Sequence, residues 1–111
     1  MMGKALINAE VPVTKGSSGI LILSKEESVR KPVYDCIRCA KCVKACPMGL
    51  NPSLLMNATE FTEWGLAEKN YITDCIECGS CSYTCPANRP LLDHIRLGKN
   101  KVMGIVRARK Q

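Results

Sequence analysis

Apolar and polar positions change rhythm several times along this chain. From Ala5 to Val13 and from Ile20 to Leu23, apolar and β-branched residues flank the turn-forming string Lys15-Gly-Ser-Ser-Gly19. That pattern predicts a β-hairpin over residues 4–23. Nothing else in the sequence reads as a strand, and a lone hairpin is marginal in water. The simplest expectation is that it pairs with a sheet located elsewhere, so that the chain is the end of a longer polypeptide. Ser24-Lys-Glu-Glu27 then reads as a capping box opening a short helix that Pro32 ends.

The remaining apolar rhythm is helical. Asn51-Pro52 offers an N-cap followed by Pro at the first helical position. Leu54, Leu55, Ala58 and Phe61 recur at helical spacing, with Gly65 as the expected stop and a second short helix over residues 66–72. Asn88 and Pro90 mark another start. Leu91, Leu92, Ile95, Val102, Met103 and Val106 form one apolar face, which Gly98 and Gly104 weaken. Trp64, Tyr71 and Tyr83 read as packing for a small core, and His94 as a surface or packing residue. The expected fold is mainly α: a helical domain over residues 32–98, preceded by a hairpin and short helix in residues 1–31. A basic helix or tail over residues 99–111 follows it.

Cysteine changes this picture most. The chain has 111 residues, 5% of them aromatic, and eight cysteines. A chain of this size buries a modest core, and small domains lean on metals or disulfides. The opening MMGKALINAEVPVTKG lacks a secretory pattern, and no run approaches the length of a membrane helix. A soluble, cytosolic, reducing setting is therefore expected, where clustered thiols ligate metal instead of forming disulfides.

The thiols fall in two strings, CIRCAKCVKACP and CIECGSCSYTCP, that repeat with an offset of 39 residues from Asp35/Asp74 to Pro47/Pro86. Each is C-x2-C-x2-C-x3-C-P. Three thiolates two residues apart can curl round one corner of a [4Fe–4S] cube, and the fourth, ahead of Pro, turns away. In the bacterial ferredoxin run that fourth Cys ligates the other cluster. One cluster is thus assigned to Cys36, Cys39, Cys42 and Cys85, and the other to Cys75, Cys78, Cys81 and Cys46. Pro47 and Pro86 would aim the fourth ligands across. Zinc is commonly held by separated C-x2-C pairs and gives no reason for a third Cys at the same spacing in both strings. A full ligand set on every iron favours electron transfer over substrate chemistry.

Charge adds less. The net charge of +6 lies wholly in residues 96–111, which hold six bases and no acid. The basic stretch has no interleaved aromatics, which argues against nucleic acid and for a solvated face or a docking surface for an acidic neighbour. Two oxidised clusters, at about −2 each, would bring the chain to about +2. Arg38, Lys41 and Lys44 lie in the first run, and Glu77 alone in the second. That distribution predicts the higher potential for the first cluster, unless solvent screens these charges. Gly16-Ser-Ser-Gly19 lacks phosphate-loop spacing, and no catalytic triad, carboxylate pair or nucleotide fingerprint is present, so the chain shows no site for hydride transfer.

VPVTKGSSGILIL ahead of CIRCAKCVKACPMGLNP, with DCIECGSCSYTCP and NRPLLDHIRLGK after it, resembles the C-terminal, iron–sulfur part of the C subunit of the Rnf electron transport complexes. These are ion-translocating ferredoxin:NAD⁺ oxidoreductases. The resemblance implies a helical two-cluster [4Fe–4S] ferredoxin-like domain over residues 32–98, with the eight cysteines as cluster ligands, on a larger subunit that also binds NADH and FMN. That upstream flavin and nucleotide region is not in this chain, so FMN and NADH are expected only there or on a partner. It further implies a peripheral place on the cytoplasmic side of the membrane, reached through the other subunits of the complex, with a redox protein as donor or acceptor. Alternatives in the same chemistry are the iron–sulfur end of another NADH-linked reductase, such as a cobalamin-reductase-type subunit. A cluster-stapled docking module and a zinc-bound interaction domain are the other classes.

Overall fold

The computed structural model describes residue 3 and residues 5–110. Residue 4 of the expected hairpin and residue 111 of the expected tail lie outside the described residues. The described chain forms two compact units, Gly3–Pro32 and a larger one from Val33 onward.

In the smaller unit the expected hairpin does not form, and there is no strand among the described residues. Residues 5–23 run as irregular backbone around one turn. The Ser17 N–H donates to the Thr14 carbonyl at 2.9 Å, and the Thr14 N–H to Ser17 Oγ at 3.2 Å. The turn was legible; the pairing was not. Every described residue of this unit is exposed, Ile20 to Leu23 included. Pairing would order backbone at about 1–2 kcal/mol per residue without burying an apolar face. The capping box does form: Ser24 Oγ accepts from Glu27 N–H at 3.3 Å, Glu27 Oε2 from Ser24 N–H at 3.3 Å, and α1 spans Lys25–Ser28.

The larger unit is helical. It contains α2 (Lys41–Lys44), α3 (Pro52–Glu60), α4 (Trp64–Lys69), a 3₁₀ turn (Ile72–Asp74), α5 (Ser80–Tyr83) and α6 (Leu91–Arg109). The long helix α6 is the spine; α3, α4 and the 3₁₀ turn pack on it, and α2 and α5 pack on each other. Leu55, Ile72, Ile95 and Val102 are fully buried at the centre. Gly98 lies in the α3–α6 contact, where a Cβ would overlap Thr59 Oγ1 and lie 2.9 Å from Ile72 Cδ1. The apolar face read across both glycines thus makes one uninterrupted helix through residues 98 and 99.

Asn51 caps α3 as expected, its Oδ1 accepting from Leu54 N–H at 3.2 Å with Pro52 first in the helix. The expected stop at Gly65 is wrong. Thr62 takes a left-handed φ of 58°. Thr62 N–H donates to Thr59 at 3.1 Å and Glu63 N–H to Ala58 at 2.7 Å, closing the helix in a Schellman motif. Thr is a rare residue for that position, whereas Gly65, the residue that preference favours, lies inside α4. The second short helix accordingly starts earlier than residue 66 and ends at Lys69. Phe61, left past the helix end, is 71% exposed instead of packed. Trp64 packs against the core, whereas Tyr71 and Tyr83 are exposed, contrary to expectation.

The backbone repeats further than the cysteine strings suggest. Left-handed residues occur at Arg38, Ala40 and Gly49, and again 39 residues on at Glu77, Gly79 and Asn88. Gly49 N–H bonds Cys46 at 3.2 Å as Asn88 N–H bonds Cys85 at 3.1 Å. α3 and α6 begin at equivalent positions, Pro52 and Leu91. A doubled loop–helix unit therefore builds the domain.

Candidate metal centre

Each cysteine run is made by two left-handed corners. Arg38 and Ala40 turn the first, with φ of 55° and 58°, and Glu77 and Gly79 the second, with φ of 57° and 82°. A left-handed non-glycine residue costs about 1–2 kcal/mol, and such strain gathers at functional sites. Here it curls three cysteines round one centre. It also turns backbone donors inward, so that Glu77 N–H donates to Cys75 Sγ at 3.4 Å. The one-turn helices α2 and α5 then carry the chain to the fourth cysteine of each run, and their mutual packing holds the runs side by side.

The eight cysteines sort into two groups of four, each drawn from both runs. Cys36, Cys39, Cys42 and Cys85 line a cavity of about 320 Å³, together with Ser53, Leu54 and Arg89. Cys46, Cys75, Cys78 and Cys81 line a much tighter one of about 20 Å³, walled by Leu50, Leu55, Leu92 and Ile95. All eight are free thiols. Cys36 and Cys39 are exposed, Cys81 is buried, and the other five are half-buried.

The thiols differ in acidity for physical reasons. The Arg38 backbone N–H and the Ser53 hydroxyl hold the Cys36 thiol below its ordinary value; Cys36 Sγ lies 3.8 Å from Ser53 Oγ. The Ser80 hydroxyl and backbone N–H, which can donate to the sulfur, hold Cys78 below its ordinary value; Cys78 Sγ lies 3.4 Å from Ser80 Oγ. Burial pushes Cys42, Cys75 and Cys81 up, because loss of water disfavours the thiolate. Metal binding would therefore release protons from these three.

The donor set fits iron–sulfur cubanes better than single ions. Zinc–sulfur bonds of about 2.3 Å draw four thiolates to within roughly 4 Å of one another. Among the described residues no three ligand-type side chains converge on a single-ion site. The four thiols round the roomier cavity leave space for a polynuclear core, the second run repeats the same ligand spacing, and the apolar walls of the tighter site limit solvent access.

The charges near the second run differ from what its composition suggested. Glu77 is not alone: Arg96 Nε donates to Glu77 Oε2 at 2.9 Å, and Lys99 Nζ lies 3.6 Å from Oε1. Lys99 Nζ also donates to the Cys75 carbonyl at 2.6 Å. Arg38, Lys41 and Lys44 are exposed and screened by water. The ground for giving the first cluster the higher potential is thereby removed. Arg89, Arg96, Lys99, Ser53 and Ser80 were all missed in the sequence. The i, i+3 spacing of Arg96 and Lys99 on a helix was the available signal for two of them.

Comparison with known proteins agrees with this architecture. The chain is 54% identical over 55 residues to the C subunit of the proton-translocating ferredoxin:NAD(+) oxidoreductase complex of Clostridium ljungdahlii, covering 50% of this chain and 12% of that protein. It is 44% identical over 103 residues to the C subunit of the Na(+)-translocating ferredoxin:NAD(+) oxidoreductase complex of Acetobacterium woodii, covering 93% and 23%. With the C subunit of the ion-translocating oxidoreductase complex of Rhodobacter capsulatus it shares 46% identity over 102 residues, covering 92% and 20%. The chain thus spans less than a quarter of the length of each of these relatives. Residues 28–86, which hold both cysteine runs, match the family model described as a 4Fe-4S dicluster domain. That match takes in more than half of the chain, its eight cysteines suit two [4Fe–4S] clusters, and the chain belongs to the 4Fe–4S dicluster family.

Proposed function

We propose that this chain relays electrons through two [4Fe–4S] clusters as the iron–sulfur part of an ion-translocating ferredoxin:NAD⁺ oxidoreductase. Cys36, Cys39, Cys42 and Cys85 would hold one cluster, and Cys46, Cys75, Cys78 and Cys81 the other. The observation that carries the reading is the grouping of the thiols: each cavity is lined by three cysteines of one run and the fourth of the other. When bound, each cluster accepts and releases one electron. The protein's part is to supply four thiolates per centre, to keep both centres adjacent by sharing ligands between runs, and to wall the second centre with aliphatic side chains. The same cross-bracing ties the two halves of the doubled unit together.

In this reading FMN and NADH bind outside this chain, on an upstream region or a partner. The similarity to the C subunits of several ion-translocating complexes supports other subunits as partners, and in this reading the chain sits peripherally on the cytoplasmic side of the membrane. No helix among the described residues is long and apolar enough to cross a membrane. The exposed apolar run at residues 20–23 rests, in this reading, on an upstream region or a partner.

The test is iron and acid-labile sulfide per chain on anaerobically prepared protein, with EPR before and after reduction. About eight of each, with a reversible, spin-coupled reduced signal, supports the relay. Clusters that resist reduction at physiological potential would leave a structural staple, and zinc without sulfide would refute the reading.

A further inference from the structure

We infer that Arg96 and Lys99 of α6, acting on Glu77, set the reduction potential of the centre formed by Cys46, Cys75, Cys78 and Cys81, and hold it above the value an unpaired Glu77 would give. The inference rests on the cluster assignment proposed above and concerns how this chain tunes that centre.

Glu77 occupies the left-handed corner between Cys75 and Cys78, and its N–H donates to Cys75 Sγ at 3.4 Å. Its carboxylate reaches α6, where Arg96 Nε binds one oxygen at 2.9 Å and Lys99 Nζ lies 3.6 Å from the other. The same Lys99 donates to the Cys75 carbonyl at 2.6 Å. The Arg96 and Lys99 side chains are only 17% and 18% exposed and that of Glu77 is 32% exposed. Solvent therefore screens this group less than an ordinary surface pair.

Two consequences follow. First, the pair pins a strained corner, and with it the N–H···S bond, at both ends of the Cys75-Ile-Glu77 segment. Hydrogen bonds to cluster sulfurs are one of the protein's levers on potential. Secondly, two cations and one carboxylate give this trio one net positive charge. Reduction adds one electron to the centre and makes or breaks no bond, so a net positive neighbour favours the reduced form. The first run has Arg38 at the equivalent corner, and that residue is exposed.

The experiment is an EPR-monitored redox titration of the cluster-loaded full chain, with iron and sulfide counted in every variant. Lys99→Gln leaves the group neutral and should move one of the two potentials down. The expected change is at least tenfold in the reduced-to-oxidised ratio at fixed potential, or 59 mV for a one-electron couple. Glu77→Gln leaves two positive charges and should move the same centre up. The double variant restores one net positive charge and should return close to wild type, as should Lys99→Arg. The other centre should stay still throughout. Unmoved potentials with full iron and sulfide, or shifts of both single variants in one direction, would reduce the pair to a structural brace and overturn the inference. If Lys99→Gln loses iron, Glu77→Gln decides alone, since it keeps Lys99 on the Cys75 carbonyl: an upward shift supports the inference and none overturns it. A wild-type chain without iron and sulfide would refute the cluster reading itself, which is a separate result.

Discussion

Replacing Gly98 by Ala tests the packing that aligns the two halves of the domain. In an exposed helix the change stabilises by about 1 kcal/mol, because Ala is the better helix former. At residue 98 the new Cβ would overlap Thr59 Oγ1, lie 3.2 Å from Thr59 Cγ2 and 2.9 Å from Ile72 Cδ1. Neither neighbour yields easily. Thr59 is buried and its hydroxyl donates to the Leu55 carbonyl at 2.9 Å. Rotating χ1 only exchanges one branch for the other, and Ile72 is fully buried. Overpacking of this kind costs about 1–3 kcal/mol, and breaking the threonine bond about 1 more. After the propensity gain, Gly98→Ala should destabilise by about 2 kcal/mol. Gly104, on the same helix, is exposed with nothing within 4 Å of an added Cβ, and Gly104→Ala should stabilise by about 1 kcal/mol. The assay is thermal loss of the visible cluster absorbance, both variants beside wild type under one scan rate. For a domain of this size 1 kcal/mol corresponds to roughly 4–8 °C, so the two should fall on opposite sides of wild type. Adding Thr59→Ala to Gly98→Ala should recover part of the loss, a coupling expected of touching residues. Gly98→Ala matching or exceeding Gly104→Ala in stability would refute the close approach of α3 and α6.

Three further outcomes are expected. Cys46→Ser should remove about half of the iron and perturb the centre whose other ligands come from the second run, leaving the EPR signal of the Cys36, Cys39, Cys42 and Cys85 centre; damage confined to that latter centre would refute the crossed assignment. In metal-free protein at neutral pH, iodoacetamide should label Cys36 and Cys78 first, because hydrogen bonds favour their thiolates, and Cys42, Cys75 and Cys81 last; peptide mass spectrometry over a time course reads the order. Asn51→Ala removes the α3 cap bonded to Leu54 and should cost about 1 kcal/mol, seen as a fall in the thermal midpoint with iron content retained.

What the sequence by itself determined was local. The capping box at Ser24 and the cap at Asn51 rest on contacts within four residues, so the string suffices to find them. The cysteine spacing is local too, and each run's curl follows from it. The hairpin failed for the complementary reason: alternating apolar residues state a preference, but a strand exists only when a partner covers it, and in Gly3–Pro32 none of the described residues is buried. The helix end at Thr62 was hidden because a left-handed threonine is held by the bonds closing round it, which no residue preference announces.

The tertiary structure decided what depends on residues far apart in the chain. It brought Cys85 beside the first run and Cys46 beside the second, where spacing had only suggested a crossing. It set Arg96 and Lys99 on Glu77 across 19 and 22 positions, reversing the charge that composition assigned to that corner. It also turned Gly98 from a weak point in a helix into the point where two helices can meet. Charge and close packing act through space, so their sign at a site is known only when the neighbours from other segments are in place.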